Sequence, residues 1–277
     1  MKRIFIFASI LLMIGCSHFQ ANTNKRSAPV KAPVQTKSQA PSPNGKNNKS
    51  YTTKDLNNQL MIPERIENIE NTVKPTPIKE SIMLDVIQIN QNPELRYGCE
   101  VTSLTMVLQY AGVKTTKMDL YQAIQKDPDP LIKSAAGDIL HWGNPADGFV
   151  GDMTGKQAGY AVFDQPMINL INQKLPGRAV NLTNQPFEKV LEHVSAGYPV
   201  VVWTTGDYRL PDRWEGWYHG KQYIKTPLDL HAVVLVGYDA NFVYLNDPLS
   251  GKKQAKVGKE RFISSWKALQ SRAVSYR

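Results

Sequence analysis

Three residues of this chain have the types and placement needed for covalent acyl transfer: Cys99, His231 and Asp247. The run Tyr97-Gly98-Cys99-Glu100 precedes Val101, Leu104, Val107, Leu108 and Ala111, which recur at helical spacing before Gly112, so Cys99 stands at or just before a helix amino terminus. Unpaired backbone N–H groups and the positive dipole end favour thiolate there, the form that attacks a carbonyl. Gly98 is expected to let a substrate backbone pass close by. A cysteine taken alone is better read as a small buried hydrophobe, so the chemistry turns on whether a base lies within reach.

Four histidines follow the cysteine. His193 falls within Phe187–Ala196, an amphipathic helix opened by Pro186, and reads as a surface or packing residue. His141 and His219 lie in segments rich in Gly and Trp, with no evident orienting partner. His231 opens His231–Gly237, which reads as a strand buried on both faces, and Phe242–Asp247 reads as a second strand after the turn residues Tyr238-Asp-Ala-Asn241. Folded as an antiparallel hairpin centred near Asp239, the pair sets Asp247 opposite His231 on the same face, where a carboxylate fixes the tautomer and stabilises the imidazolium. A register one residue away offers Asn246 for the same orienting job.

Nucleophile, base and orienter must be held by an ordinary folded core. Residues 81–277 suffice for one domain with a sizeable core and show no internal repeat. Ser81–Asn90 alternates like a strand, a helix begins near Thr116 and ends near Lys126 ahead of Asp127-Pro-Asp-Pro130, and Pro199–Thr205 reads as a buried strand. The Gly- and Asp-rich stretch 143–159 is a candidate cleft loop; its acids fit no calcium-loop spacing and are expected to be solvated, so no metal or cofactor is anticipated. Tyr208, Trp214, Trp217, Tyr218 and Tyr223 either pave an extended groove or form a satellite cluster over the core.

The first 80 residues have a different character. Of a net charge of +9, this stretch carries +7, from 12 basic and 5 acidic groups, and the remainder only +2, so the folded part is not expected to bind nucleic acid. Lys2 and Arg3 precede an apolar run, Ile4–Ile14, then Gly15 and Cys16, the pattern of a secretory signal. Its end resembles a bacterial lipoprotein signal over residues 1–15, which implies a diacylglycerol thioether on Cys16 and attachment to the extracytoplasmic side of the cell membrane; Met13 stands where such signals usually have Leu. With Cys16 lipidated, Cys99 is left without an intramolecular disulfide partner. Residues 16–80 read as a linker rich in Pro, Asn, Ser, Thr and Lys, too poor in large apolar side chains to offset its ordering entropy. Ile62, Ile66, Ile69 and Val73 mark one short amphipathic helix within it. As a flexible coil the tether would reach about 45 Å.

The run Gln91-Asn-Pro-Glu-Leu-Arg-Tyr-Gly-Cys99-Glu-Val-Thr-Ser-Leu, with His231-Ala-Val-Val-Leu-Val-Gly-Tyr-Asp239 and Asn246-Asp-Pro248, resembles the stand-alone secreted branch of the bacteriocin-processing (double-glycine) peptidase-like family, over about residues 82–277. The resemblance implies an α+β domain of papain-like cysteine peptidase fold, a helix bearing Cys99 packed on an antiparallel sheet bearing His231 and Asp247. It also implies an oxyanion-stabilising glutamine. Transporter-linked members place that residue six positions before the cysteine, which is Pro93 here, so the role passes to Gln91, with Gln88 as a substitute. No transporter span or nucleotide-binding motif accompanies the domain, so export-coupled leader processing is not implied. The expected activity is extracytoplasmic cleavage of peptides or proteins by a monomer. The alternatives are a peptidoglycan amidase or endopeptidase or a transacylase with the same triad, and a non-catalytic peptide-binding module.

Overall fold

The computed structural model describes residues 78–277. The signal, Cys16, the tether up to residue 77 and the helix expected across Ile62–Val73 lie outside the described residues.

Helix α1 (Cys99–Tyr110) follows β1 (Ile82–Met83), and α2 (Lys117–Ala123) comes next. Of α1, Val101, Leu104, Met106, Val107 and Leu108 are completely buried. A twelve-residue helix is marginal by itself, and Gly98 at its N-cap supplies no side-chain hydrogen bond. Tertiary burial therefore holds it, at about 1.5–3 kcal/mol for each large apolar side chain. Only two residues of Ser81–Asn90 pair as a strand. The expected alternation persists without a ladder: Leu84 and Val86 are buried while Met83, Asp85 and Ile87 face solvent. Helix α2 carries a Thr116–Asp119 capping box and ends at Ala123, short of the expected Lys126. The chain turns extended there because β2 (Lys126–Asp127) pairs in parallel with β5 (Phe149–Val150).

The strands β3 (Ile132–Lys133) and β4 (Ile139–His141) and helix α3 (Asp164–Lys174) fill the middle of the chain. Then come β6 (Ala179–Asn181), α4 (Phe187–Ser195), β7 (Val200–Thr205), β8 (Trp214–His219), β9 (Gln222–Pro227) and β10 (Leu230–Tyr238). The chain finishes with β11 (Phe242–Asn246), β12 (Ala255–Gly258), α5 (Lys259–Ala268) and β13 (Ala273–Tyr276). The main sheet is antiparallel, in the order β12-β11-β10-β7-β13-β6, with β1 against the end of β10. Every residue of β7, and all of β10 after Leu230, is buried, because α1, α4 and α5 pack against these central strands. Ser103 of α1 donates to the Ala232 carbonyl at 3.1 Å, and Phe187 and Trp266 stack edge-on to join α4 to α5. The fold is thus mixed α and β, with the helix that bears Cys99 on an antiparallel sheet, as the sequence leads one to expect.

A second sheet, β3-β4-β8-β9, contains a parallel pair, β4 with β8, that sequence reading did not anticipate. It carries its own small core of Trp142, Val150, Trp217 and Ile224, onto which Tyr160 packs. Of the aromatic residues left between two roles, Trp217 belongs to this satellite cluster, whereas Trp214, Tyr218 and Tyr223 are exposed on the β8–β9 hairpin.

The hairpin register differs from expectation. Val234 pairs with Asn246 and Leu235 with Leu245, and an irregularity between Leu235 and Gly237 then shifts the ladder by one residue. Continued past Asn246, this register points Val233, not His231, at Asp247, so His231 becomes its diagonal neighbour on the same face. Asp247 itself lies just beyond the end of β11 instead of within the sheet.

Candidate active site

Cys99 is the first residue of α1, His231 the second of β10, and both line a cleft of about 780 Å³ together with Gln91, Arg96, Tyr160 and Leu249. The His231 Nε2 lies 2.8 Å from Asp247 Oδ1, which leaves Nδ1 as the ring nitrogen free to serve the thiol. Both side chains are almost fully buried. Asp247 is fixed from every side: Oδ1 also accepts from the Leu249 N–H at 2.9 Å, and Oδ2 accepts from the Ser250 hydroxyl at 2.6 Å and from the Tyr208 phenol at 3.3 Å. Burial alone would favour its neutral form. The hydrogen bond and charge of His231, with Ser250 and Leu249, instead hold the carboxyl well below the usual carboxylate range.

The thiol departs from expectation. Burial pushes Cys99 well above an ordinary thiol, and the adjacent Glu100 carboxylate pushes it further, against the N–H of Ala232 and its own N–H. Burial of Cys99, only 7% exposed, thus opposes the thiolate that the helix terminus favours. Sγ donates to Glu100 Oε2 at 3.4 Å, and Glu100 Oε1 accepts from Val162 N at 3.1 Å. Glu100 is completely buried, which raises its carboxyl to about 7.

Gln91 and Gln88 separate. Gln91 is buried on the cleft wall, where its amide N–H₂ donates once, to the Arg96 carbonyl at 2.7 Å, and keeps a second proton. Gln88 instead donates to the backbone carbonyl of Asp247 at 2.8 Å and bolts the strand end in place. Gly98 does not leave room for a substrate: a Cβ there would lie 2.5 Å from Leu95 Cβ, so the glycine is required by the turn packed beneath the helix. Of the stretch 143–159, Thr154 reaches the cleft.

His193 is structural as expected, its Nε2 2.9 Å from the Tyr276 carbonyl. His141 and His219 do have partners, contrary to expectation: their rings stack with centroids 6.2 Å apart, beside Asp127 and Asp129. Sequence reading marked Tyr208 only as a groove or cluster aromatic, not as a partner of Asp247, and missed Ser250 and Glu100. A turn signal was present for Ser250 in Asp-Pro-Leu-Ser-Gly, but nothing local marks Tyr208, 39 residues before the aspartate it contacts.

A buried cysteine and histidine thus share one cleft, with a buried aspartate on the far side of the histidine, and comparison with known proteins supplies the family. The chain matches the model of the Peptidase_C39 like family over residues 83–274 and belongs to that family. It is 37% identical over 193 residues to the uncharacterized protein YvpB of Bacillus subtilis (strain 168), covering 69% of this chain and 74% of YvpB. It is also similar to a Bacillus anthracis protein of known crystal structure classed as a C39-like peptidase, at 38% identity and a TM-score of 0.65, covering 72% of this chain and 98% of the other.

Proposed function

We propose that this protein is an extracytoplasmic cysteine peptidase, anchored through a lipid on Cys16 and a tether ending near residue 80, that cleaves peptide bonds by way of an acyl-thioester on Cys99. The observation that carries this reading is the 2.8 Å contact of His231 Nε2 with Asp247, which leaves Nδ1 as the available base on a histidine lining the same cleft as Cys99. His231 takes the thiol proton as Sγ attacks the carbonyl carbon. The oxyanion is met by the Cys99 N–H and the free amide proton of Gln91. The imidazolium then gives its proton to the departing amine, leaving the acyl-thioester, and a water deprotonated by His231 releases the acid and restores the thiol. Because burial and the neighbouring Glu100 oppose a thiolate, the base acts in concert with attack. Asp247, kept ionised, stabilises the imidazolium formed in each half-reaction. A papain-like arrangement and action as a monomer on peptide or protein substrates belong to the same reading.

A thiol electrophile such as a peptidyl vinyl sulfone should label Cys99 and lose that labelling in His231→Ala, while peptide cleavage disappears in Cys99→Ala. Labelling that survives unchanged in His231→Ala would sink the reading. Release of muropeptides from purified cell wall, with peptides left intact, would move the same triad to a peptidoglycan substrate.

A further inference from the structure

The stacked imidazoles of the second sheet converge on carboxylates in a way that simple ion pairing does not explain. His219 Nδ1 lies 3.1 Å from Asp129 Oδ2 and 3.9 Å from Asp127 Oδ2, and His141 Nε2 lies 3.1 Å from the same Asp129 oxygen. One ligand atom each from Asp127, Asp129 and His219 fall within 4.8 Å of one another. Two further observations point to a ligand. The His219 Nδ1 is shut off from solvent yet makes no hydrogen bond, its approach to Asp129 having the distance but not the geometry of one. The Asp127 side chain is only 4% exposed, and its oxygens accept solely from the backbone N–H groups of Asn144 and Asp129. A carboxylate buried in this way is ordinarily paired or bound to a metal, and an orphaned ring nitrogen carries a lone pair suited to the same ion.

We propose that Asp127, Asp129 and His219 bind one divalent transition-metal ion, zinc being the one put forward, and that His141, which contacts Asp129 but lies outside the three-residue cluster, moves in to complete a two-nitrogen, two-oxygen set. Tetrahedral zinc with bonds of about 2.0–2.2 Å holds neighbouring ligand atoms about 3.3–3.6 Å apart, between the 3.1 and 3.9 Å that separate His219 Nδ1 from the two aspartate oxygens. The far nitrogen of His219 faces Asp147 Oδ2 at 3.8 Å, so a carboxylate stands behind the ligand, as is usual for metal-bound histidine. The ligands come from the end of β2, the loop after it, β4 and the end of β8. These are elements of two to six residues with few ladder hydrogen bonds, and the ion would clip them together beneath Trp142, Trp217 and Tyr160, the last of which lines the cleft. The ion is structural and takes no part in acyl transfer.

The test uses the full chain carrying Cys99→Ser, so that the cleft thiol cannot ligate the probe. After chelator treatment, Zn²⁺ is titrated calorimetrically, with Mg²⁺ and Ca²⁺ as controls, and Co²⁺ is added for its visible spectrum. The expected result is one equivalent of Zn²⁺, an intense tetrahedral Co²⁺ band, and binding weakened more than about a hundredfold by His219→Gln or Asp129→Asn, beyond the ~10–100-fold that loss of an outer-shell partner costs. Saturating zinc should raise the thermal midpoint by about 5–10 °C. The proposal is overturned by no zinc binding, by binding that both variants retain, or by a preference for calcium. Circular dichroism shows whether the variants fold; if they do not, the wild-type Co²⁺ spectrum decides, and a weak six-coordinate band overturns the site.

Discussion

His231 Nε2 and Asp247 Oδ1 meet at 2.8 Å although their backbones are not partners in the β10–β11 ladder. The bond spans a diagonal, and the aspartate reaches it from a turn whose geometry is set by Leu249 and Ser250. Orientation of the imidazole thus depends on a carboxylate that is itself held by further donors, the Leu249 N–H, the Ser250 hydroxyl and the Tyr208 phenol. Replacing Asp247 by Ala should reduce kcat/KM on a peptide substrate about 10²–10⁴-fold with little change in KM. A loss confined to KM would show that Asp247 acts on binding and not on the proton transfer.

The two glutamines should part in kinetics as they do in space. Gln91→Ala removes an amide from the cleft wall and should lower kcat about 10²–10³-fold, the usual cost of one oxyanion donor. Gln88→Ala, which removes the bond to the Asp247 carbonyl, should act on stability far more than on kcat. Steady-state kinetics of both variants beside their denaturation midpoints distinguish these outcomes.

Glu100 should make stability pH-dependent. Its carboxyl, ordinarily near 4.5, is raised to about 7 by burial, so the folded state holds a proton that the unfolded chain has already released in between. This stabilising contribution is fully present below about 4.5 and is lost as the pH rises through about 7, at up to about 3 kcal/mol. Glu100→Gln should flatten urea-unfolding free energies measured between pH 5 and pH 8. It should also speed alkylation of Cys99 at pH 8, by removing a negative charge that disfavours the thiolate. Unchanged alkylation would mean that burial alone sets the thiol.

Gly98→Ala should destabilise the fold by about 1–3 kcal/mol, because a Cβ 2.5 Å from Leu95 Cβ forces the turn before α1 to move. Chemical denaturation measures this directly. The same shift displaces Cys99, so activity should fall with stability; a fully stable but inactive variant would restore the substrate-passage role for this glycine.

By itself the sequence determined the parts whose logic is local. The period of Val101, Leu104, Val107 and Leu108 places a helix directly after Cys99, and the unbroken apolar runs of Val200–Thr205 and Ala232–Gly237 announce strands buried on both faces, because such patterns have one low-energy way to hide from water. Turn residues between two such strands were enough to bring His231 toward Asp247. Tertiary structure decided whatever depends on atoms distant in sequence. The hairpin register was set by an irregularity near Val236 that no periodicity reveals, and Tyr208 found Asp247 across the fold. The thiol meets an opposing influence that local sequence does not show, because the packing that closes over Cys99 and Glu100 removes the water on which a dipole argument relies. The gathering of Asp127, Asp129, His141 and His219 was decided in the same way, since these side chains meet only when β4 lies alongside β8, a pairing fixed by packing of Trp142 on Trp217 and not by spacing along the chain.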